Sequence, residues 1–156
     1  MDTVEKKQRI CILAVDGSKH SDLALKWYTE NVHKSGDKVL LTHCVDHRKH
    51  LTYGSVSMVP GNPDSITHAF AAEEKKAKEL MEKYVADCKK LGLHDVDLVK
   101  VIGEPGDGVI KAAEEKKADM IITGCRGLGQ IRRTMVGSVS DYILHHSHVP
   151  VFVCRH

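Results

Sequence analysis

The chain has 156 residues, 42% apolar and 28% charged, with 23 basic against 21 acidic side chains. That is the size of one ordinary domain, large enough to bury roughly 70% of the surface its unfolded chain exposes. The balanced charge argues against a nucleic-acid binder driven by counterion release, the 4% aromatic content leaves no stacking platform for single strands, and no apolar run approaches the ~20 residues of a membrane helix.

The opening MDTVEKKQRI lacks the apolar stretch and cleavage site of a signal peptide. Residues 9–15, RICILAV, are apolar and stop at Asp16-Gly17-Ser18, which predicts a buried strand. Residues 20–33 carry Leu23, Leu25, Trp27, Tyr28 and Val32 at roughly helical spacing, with Ser18 as the cap and Gly36 as the stop. Residues 38–45, KVLLTHCV, form the second predicted strand. Residues 46–63 have no clear period and read as a long loop of the kind that serves as a lid or binding loop.

The clearest helix runs over 64–90. Ile66, Phe70, Ala77, Leu80, Tyr84, Cys88 and Leu91 share one face, and Glu74/Lys78 and Glu79/Lys83 are i,i+4 pairs on the other. Residues 96–102 form a third strand. GEPGD (103–107) is a turn, with Asp107 as the expected cap of a helix reaching 117. Residues 119–123 form a fourth strand, Ser138 is expected to cap a helix ending at 146, and 149–154 (VPVFVC) form the fifth strand. Strands alternating with helices predict an α/β domain, a doubly wound parallel sheet with helices on both faces. In the order 3-2-1-4-5 its ligand crevice lies between strands one and four, at their carboxyl ends.

The fourth connection, GCRGLGQIRRTMVGSVSD (124–141), holds Gly124, Gly127, Gly129 and Gly137 among Arg126, Arg132 and Arg133. A strand, a glycine loop and a helix start make an anion site, because the first N–H groups of a helix are unpaired and its dipole is positive there. The N–H groups of Ser138, Val139 and Ser140 would point out of that helix. The arginines would hold outer phosphates. No P-loop GxxxxGK[ST] and no GxGxxG is present. The plainer reading is a glycine-rich turn with solvated arginines.

The same residues resemble the universal stress protein family, whose nucleotide-binding members carry G-x2-G-x9-G-[S/T]. Gly124, Gly127 and Gly137-Ser138 match every fixed position. ILAVDGS (12–18), LLTHCVD (40–46) and GEPGDGVIKAAEEKKADMIITGCRG (103–127) extend the resemblance over nearly the whole chain. It implies a single Rossmann-like domain with five parallel strands that binds ATP with Mg2+. By position, Asp16 would contact the ribose or adenine side, Val15 would line the same edge, and Cys44 would present its backbone to adenine. Gly124, Arg126 and Gly127 would face the phosphates, and Gly137, Ser138, Val139 and Ser140 would close around them. Cys125 departs from the serine or other small residue common there. The family often dimerises through the last strand, here Val149 to Cys154, which as an unprotected apolar edge would gain a partner by two-fold pairing.

The histidine rows His43, His47, His50 and His145, His146, His148 lack a carboxylate or cysteine at zinc spacing and read as non-metal residues. No nucleophile–base set stands at a recognisable spacing, so no catalytic residue is expected. Five scattered cysteines without CxxC spacing suit free thiols in a reducing, cytoplasmic setting. Cys125 stands beside Arg126, where a cation would lower a thiol pKa; a small residue filling a tight turn is the preferred reading. The sequence thus points to an ATP-binding stress-response sensor or interaction module, with no nucleic-acid or membrane partner. A slow ATPase and a non-binding dimeric scaffold are the alternatives.

Overall fold

The computed structural model describes residues 7–47, 63–125 and 137–155. Arg126, Gly127, the remaining arginines of that stretch, His50 and almost all of the 46–63 loop lie outside the described residues.

Among the described residues five strands, β1 (Ile10–Ala14), β2 (Lys38–Val45), β3 (Val96–Ile102), β4 (Met120–Gly124) and β5 (Val151–Cys154), alternate with four helices. The helices are α1 (Lys19–Asn31), α2 (Pro63–Lys90), α3 (Pro105–Glu115) and α4 (Ser138–His146). All strand pairs are parallel, and the sheet order is β3-β2-β1-β4-β5. This is the predicted topology. β1 is central, and both of its faces are apolar because both are covered.

The strand period of two splits the core into two layers. Cys11, Leu13, Val39, Leu41 and Ile122 face α1 and α2, where they meet Ala24, Leu25, Tyr28, Met81, Tyr84 and Cys88. Ile12, Leu40 and Ile121 face α3 and α4, where they meet Val109, Ala112, Ala113 and Ile143. Among the described residues no helix is long and apolar enough to cross a membrane.

Several local expectations shift. α1 buries Ser21, Ala24, Leu25 and Tyr28, while Leu23 and Trp27 are 39% and 37% exposed. Asp107 does not cap α3. Glu104 holds the N-cap position and Pro105 opens the helix, whose missing N–H costs nothing there. Asp107 sits in the first turn and pairs with Lys111 at 2.7 Å. Ser138 likewise is the first residue of α4, and its N-cap is Gly137. β5 begins at Val151, but the Pro150 carbonyl already accepts the Ile121 N–H at 2.9 Å.

Candidate functional site: the crevice at the ends of β1 and β4

β1 and β4 are neighbours whose chains leave for opposite faces, β1 into α1 and β4 into α4. That is the switch point at which an open parallel sheet leaves a crevice. Four pieces of backbone border it.

The first is the β1–α1 turn. Gly17 has φ +85, a left-handed conformation that favours glycine, and a Cβ there would lie 3.1 Å from Leu80 Cδ1 of α2. Asp16 Oδ1 accepts the Ser18 N–H at 2.9 Å and the Ser21 hydroxyl at 2.7 Å. The Asp16 N–H in turn donates to Ser21 Oγ at 3.0 Å. Ser18 caps α1 as expected, its hydroxyl accepting the Ser21 N–H at 3.2 Å. Asp16 is half-buried, and among the described residues both recorded bonds to its carboxylate fall on Oδ1.

The second is the end of β2. Val15 points its side chain into the core at 4% exposure. Its N–H donates to the Thr42 carbonyl at 2.9 Å, and its carbonyl accepts from His43 Nδ1 at 2.8 Å. Since a carbonyl cannot donate, the His43 proton sits on Nδ1. The β1–β2 ladder ends at Ala14 and Thr42. Lys38 and Thr42 make their bonds toward β1, while Val39 and Val45 make theirs toward β3. By this alternation the N–H and C=O of Cys44 face β1's side of the sheet, one step beyond its last pair. The Cys44 thiol points away, to the Pro105 carbonyl at 3.4 Å. Burial pushes its pKa up to about 11, with a smaller push from Asp46.

The third is the end of β4. Gly124 is buried, and a Cβ there would come within 2.7 Å of both the carbonyl carbon and oxygen of His20. Glycine is therefore needed for α1 to seat its first turn on β4. The motif suggests a phosphate contact at this position; the structure adds a packing reason that sequence spacing alone does not reveal.

The fourth is the start of α4. The Cys125 carbonyl accepts the Gly137 N–H at 2.6 Å and the Ser140 hydroxyl at 3.2 Å. These bonds stitch the end of β4 to the helix start. The first intrahelical bond runs from the Asp141 N–H to the Gly137 carbonyl at 2.9 Å. The N–H groups of Ser138, Val139 and Ser140 thus have no intrahelical acceptor. The Ser140 side chain is 1% exposed and donates inward, also to the Gly137 carbonyl at 2.9 Å, so it can reach a ligand only through its backbone. The Ser138 side chain is exposed.

The amino ends of α1 and α4 therefore both abut the end of β4, one through Gly124 and one through Cys125. Two positive dipole ends at one strand terminus favour an anion. Of the sequence-predicted site residues, Val15, Asp16, Cys44, Gly124, Gly137, Ser138, Val139 and Ser140 all lie on elements that border this crevice. His43, Ser21 and His20 also border it. Their partners lie across the fold, apart from the Ser21–Asp16 contact, whose Asp-x4-Ser spacing before a helix was a legible signal.

The described histidines of the two rows are otherwise engaged. His47 packs on Phe70 with ring centroids 4.6 Å apart and lies 3.6 Å from Glu74. His145 and His146 bond through Nδ1 to the carbonyls four residues back. Among the described residues no group of three or more His, Cys, Asp or Glu side chains is placed to hold a metal. A separate cavity of about 290 Å3 lies at the amino end of the strands, lined by Ile10, Lys38, Leu40, Asp97 and Lys116 among others. Lys38 spans it to Asp97 at 2.7 Å, a closed ion pair rather than a waiting charge.

The model of the universal stress protein family matches residues 8–155. A putative universal stress protein of Staphylococcus aureus strain USA300 is 29% identical over 147 residues, covering 92% of this chain and 82% of its own. The universal stress protein UspA from Lactobacillus plantarum superposes with TM-score 0.77 at 20% identity, covering 94% of this chain and 97% of its own. An Arabidopsis thaliana universal stress protein family protein with AMP bound superposes with TM-score 0.64 at 18% identity, covering 93% and 90%. With the family model spanning the nine described elements, the chain belongs to the universal stress protein family.

Proposed function

We propose that this chain binds an adenine nucleotide, ATP with Mg2+, in the β1/β4 crevice and acts as a nucleotide-dependent stress-response sensor or interaction module. One observation carries the reading: three N–H groups at the start of α4, without intrahelical acceptors, are held beside the end of β4 by the Cys125 carbonyl. A polyphosphate is the ligand such a terminus suits. Gly124, Gly127 and Gly137-Ser138 keep the family's nucleotide-binding spacing, and one relative of the same fold carries AMP.

The parts then divide by chemistry. The Cys44 peptide offers one donor and one acceptor, which match the adenine edge. Asp16, with Oδ1 fixed by Ser18 and Ser21, offers Oδ2 to ribose hydroxyls, while Val15 supports that edge from below. By the family resemblance Arg126 and Gly127 would face the phosphates together with the N–H groups of Ser138, Val139 and Ser140. Asp16 so tied is an orienting acceptor rather than a base, which favours binding over turnover.

β5 lies at the edge of the sheet. On it Phe152 packs on the exposed Trp27 of α1, ring centroids 6.1 Å apart. An apolar edge of this kind supports a homodimer through the last strand. The five free thiols suit a cytoplasmic setting.

Isothermal titration of nucleotide-free protein with Mg·ATP, repeated on Gly127→Ala, tests the reading. Micromolar binding by the wild type, lost in the folded variant, is the expected result. Absence of heat with folded wild type would leave the scaffold reading. Steady ADP release abolished by the same variant would replace the sensor with an ATPase.

A further inference from the structure

Two thiols that the nucleotide reading does not use are brought together by the sheet. β4 and β5 pair Gly124 with Cys154, and the Cys125 N–H donates to the Cys154 carbonyl at 3.1 Å. Neighbouring strands lie about 4.8 Å apart, so residues bonded this way fall within the roughly 4.4–6.8 Å Cα span of a disulfide.

Both side chains approach α1. Cys154 belongs to the core layer under α1, with Phe152 beside it. Strict alternation would send Cys125 to the opposite face, away from Gly124. Instead its Sγ lies 3.7 Å from His20 Nδ1 in the first turn of α1, so the chain turns at Cys125 and its thiol lies on the α1 side. Burial first, and the nearby Cys125 second, push the Cys154 thiol up to about 11, which agrees with two sulfurs in electrostatic reach. The remaining cysteines are engaged elsewhere: Cys11 beside Asp37, Cys44 at the Pro105 carbonyl, Cys88 in the α2 core.

We propose that Cys125 and Cys154 are a redox modification site, closing to a reversible intramolecular disulfide with hydrogen peroxide as the oxidant. The His20 imidazole takes the Cys125 proton. The thiolate attacks the peroxide O–O bond, forming the sulfenic acid, and the departing hydroxide recovers a proton to leave as water. The Cys154 sulfur then attacks the Cys125 sulfur. The S–S bond forms, the S–O bond breaks, and a second water leaves with the Cys154 proton. Two thiols are oxidised by two electrons in total, and one peroxide becomes two waters. At 9% and 8% exposure neither residue is wholly sealed from solvent, and the proposal takes an oxidant as small as peroxide rather than a bulky disulfide.

The cross-link ties the start of the glycine-rich segment to the edge strand. It acts at the residue whose carbonyl holds Gly137 and Ser140. The modification itself stands whether or not nucleotide binds.

The test uses the reduced full-length chain, treated with hydrogen peroxide, then alkylated and mapped by mass spectrometry without reductant. The expected result is a loss of two free thiols, a peptide pair linked through Cys125 and Cys154, and reversal by dithiothreitol. Cys125→Ser and Cys154→Ser should each abolish the linked pair, and His20→Gln should slow its formation without changing its identity. The proposal is overturned if folded wild type keeps all five thiols. It is equally overturned if Cys125 stops at sulfenic or sulfinic acid with Cys154 still reduced, or if the linked peptides come from another pair.

Discussion

Replacing Ser138 with proline removes one backbone donor from the start of α4 and little else. Ser138 is the first helical residue, the position where proline's fixed φ fits and its missing N–H is already unused by the helix. A proline restricts the residue before it to extended conformations, and Gly137 already has φ −62 and ψ 153. The side chain is exposed, so the ring has room. Folding stability should therefore stay close to wild type. A hydrogen bond to a charged group contributes about 1.5–3 kcal/mol, which predicts a Kd for Mg·ATP raised about 10- to 150-fold. Ser138→Ala, which keeps the N–H, separates the backbone from the hydroxyl and should lose much less. Isothermal titration of the three proteins, with thermal melts alongside, reads both quantities. An unchanged Kd in a folded Ser138→Pro variant would refute the placing of phosphate at this terminus.

Gly124→Ala should act mainly on stability, because its Cβ meets His20 backbone at 2.7 Å. Overpacking of this kind costs about 1–3 kcal/mol, a Tm decrease of roughly 2–12 °C in a thermal melt; an unchanged Tm would contradict the close seating of α1. Asp37 is 5% exposed and accepts from Arg9, the Lys34 N–H and Tyr28. Burial pushes its carboxyl up, but Arg9, Lys34 and Tyr28 together hold it below the ordinary 3.8. A carboxylate with a depressed folded pKa contributes stability that is full above the unfolded pKa and is lost as pH falls through the folded one. Asp37→Asn should therefore cost about 1.5–3 kcal/mol at neutral pH and flatten the stability loss below pH ~4 in urea melts; a wild-type slope in the variant would count against it. Val153→Lys on the edge strand should halve the mass seen by light scattering, from twice 17.3 kDa to the single chain. A monomeric wild type would remove the dimer.

The parallel sheet was legible because its signals are local. β2 and β3 have their predicted limits, 38–45 and 96–102: β2 is an apolar run, and β3, the mixed run VDLVKVI, is set off by turn residues. The face of α1 was not legible in the same way. Leu23 and Trp27 look like core by composition, yet the core takes Ser21 and Ala24 instead. Ser21 is inside because its hydroxyl serves Asp16, and Ala24 because α1 lies tightly on the sheet. The α4 cap was misplaced by one residue for a related reason. A serine before a helix reads as a cap, but here the cap position belongs to Gly137, whose N–H the Cys125 carbonyl takes across the fold. The glycine motif marks the connection from β4 to α4, while the packing role of Gly124 depends on a helix more than a hundred residues earlier. His43 gave no signal beyond being a histidine, because its partner Val15 lies just past the end of another strand.

The most direct test of the nucleotide account is a backbone amide NMR titration of the nucleotide-free protein with Mg·ATP. The account predicts that the amides of Cys44, Ser138, Val139 and Ser140 shift together and saturate at one Kd. The residues around the cavity at the opposite end of the strands, Lys38, Asp97 and Lys116, should stay still. Shifts confined to that opposite cavity, or none at saturating nucleotide, would contradict it.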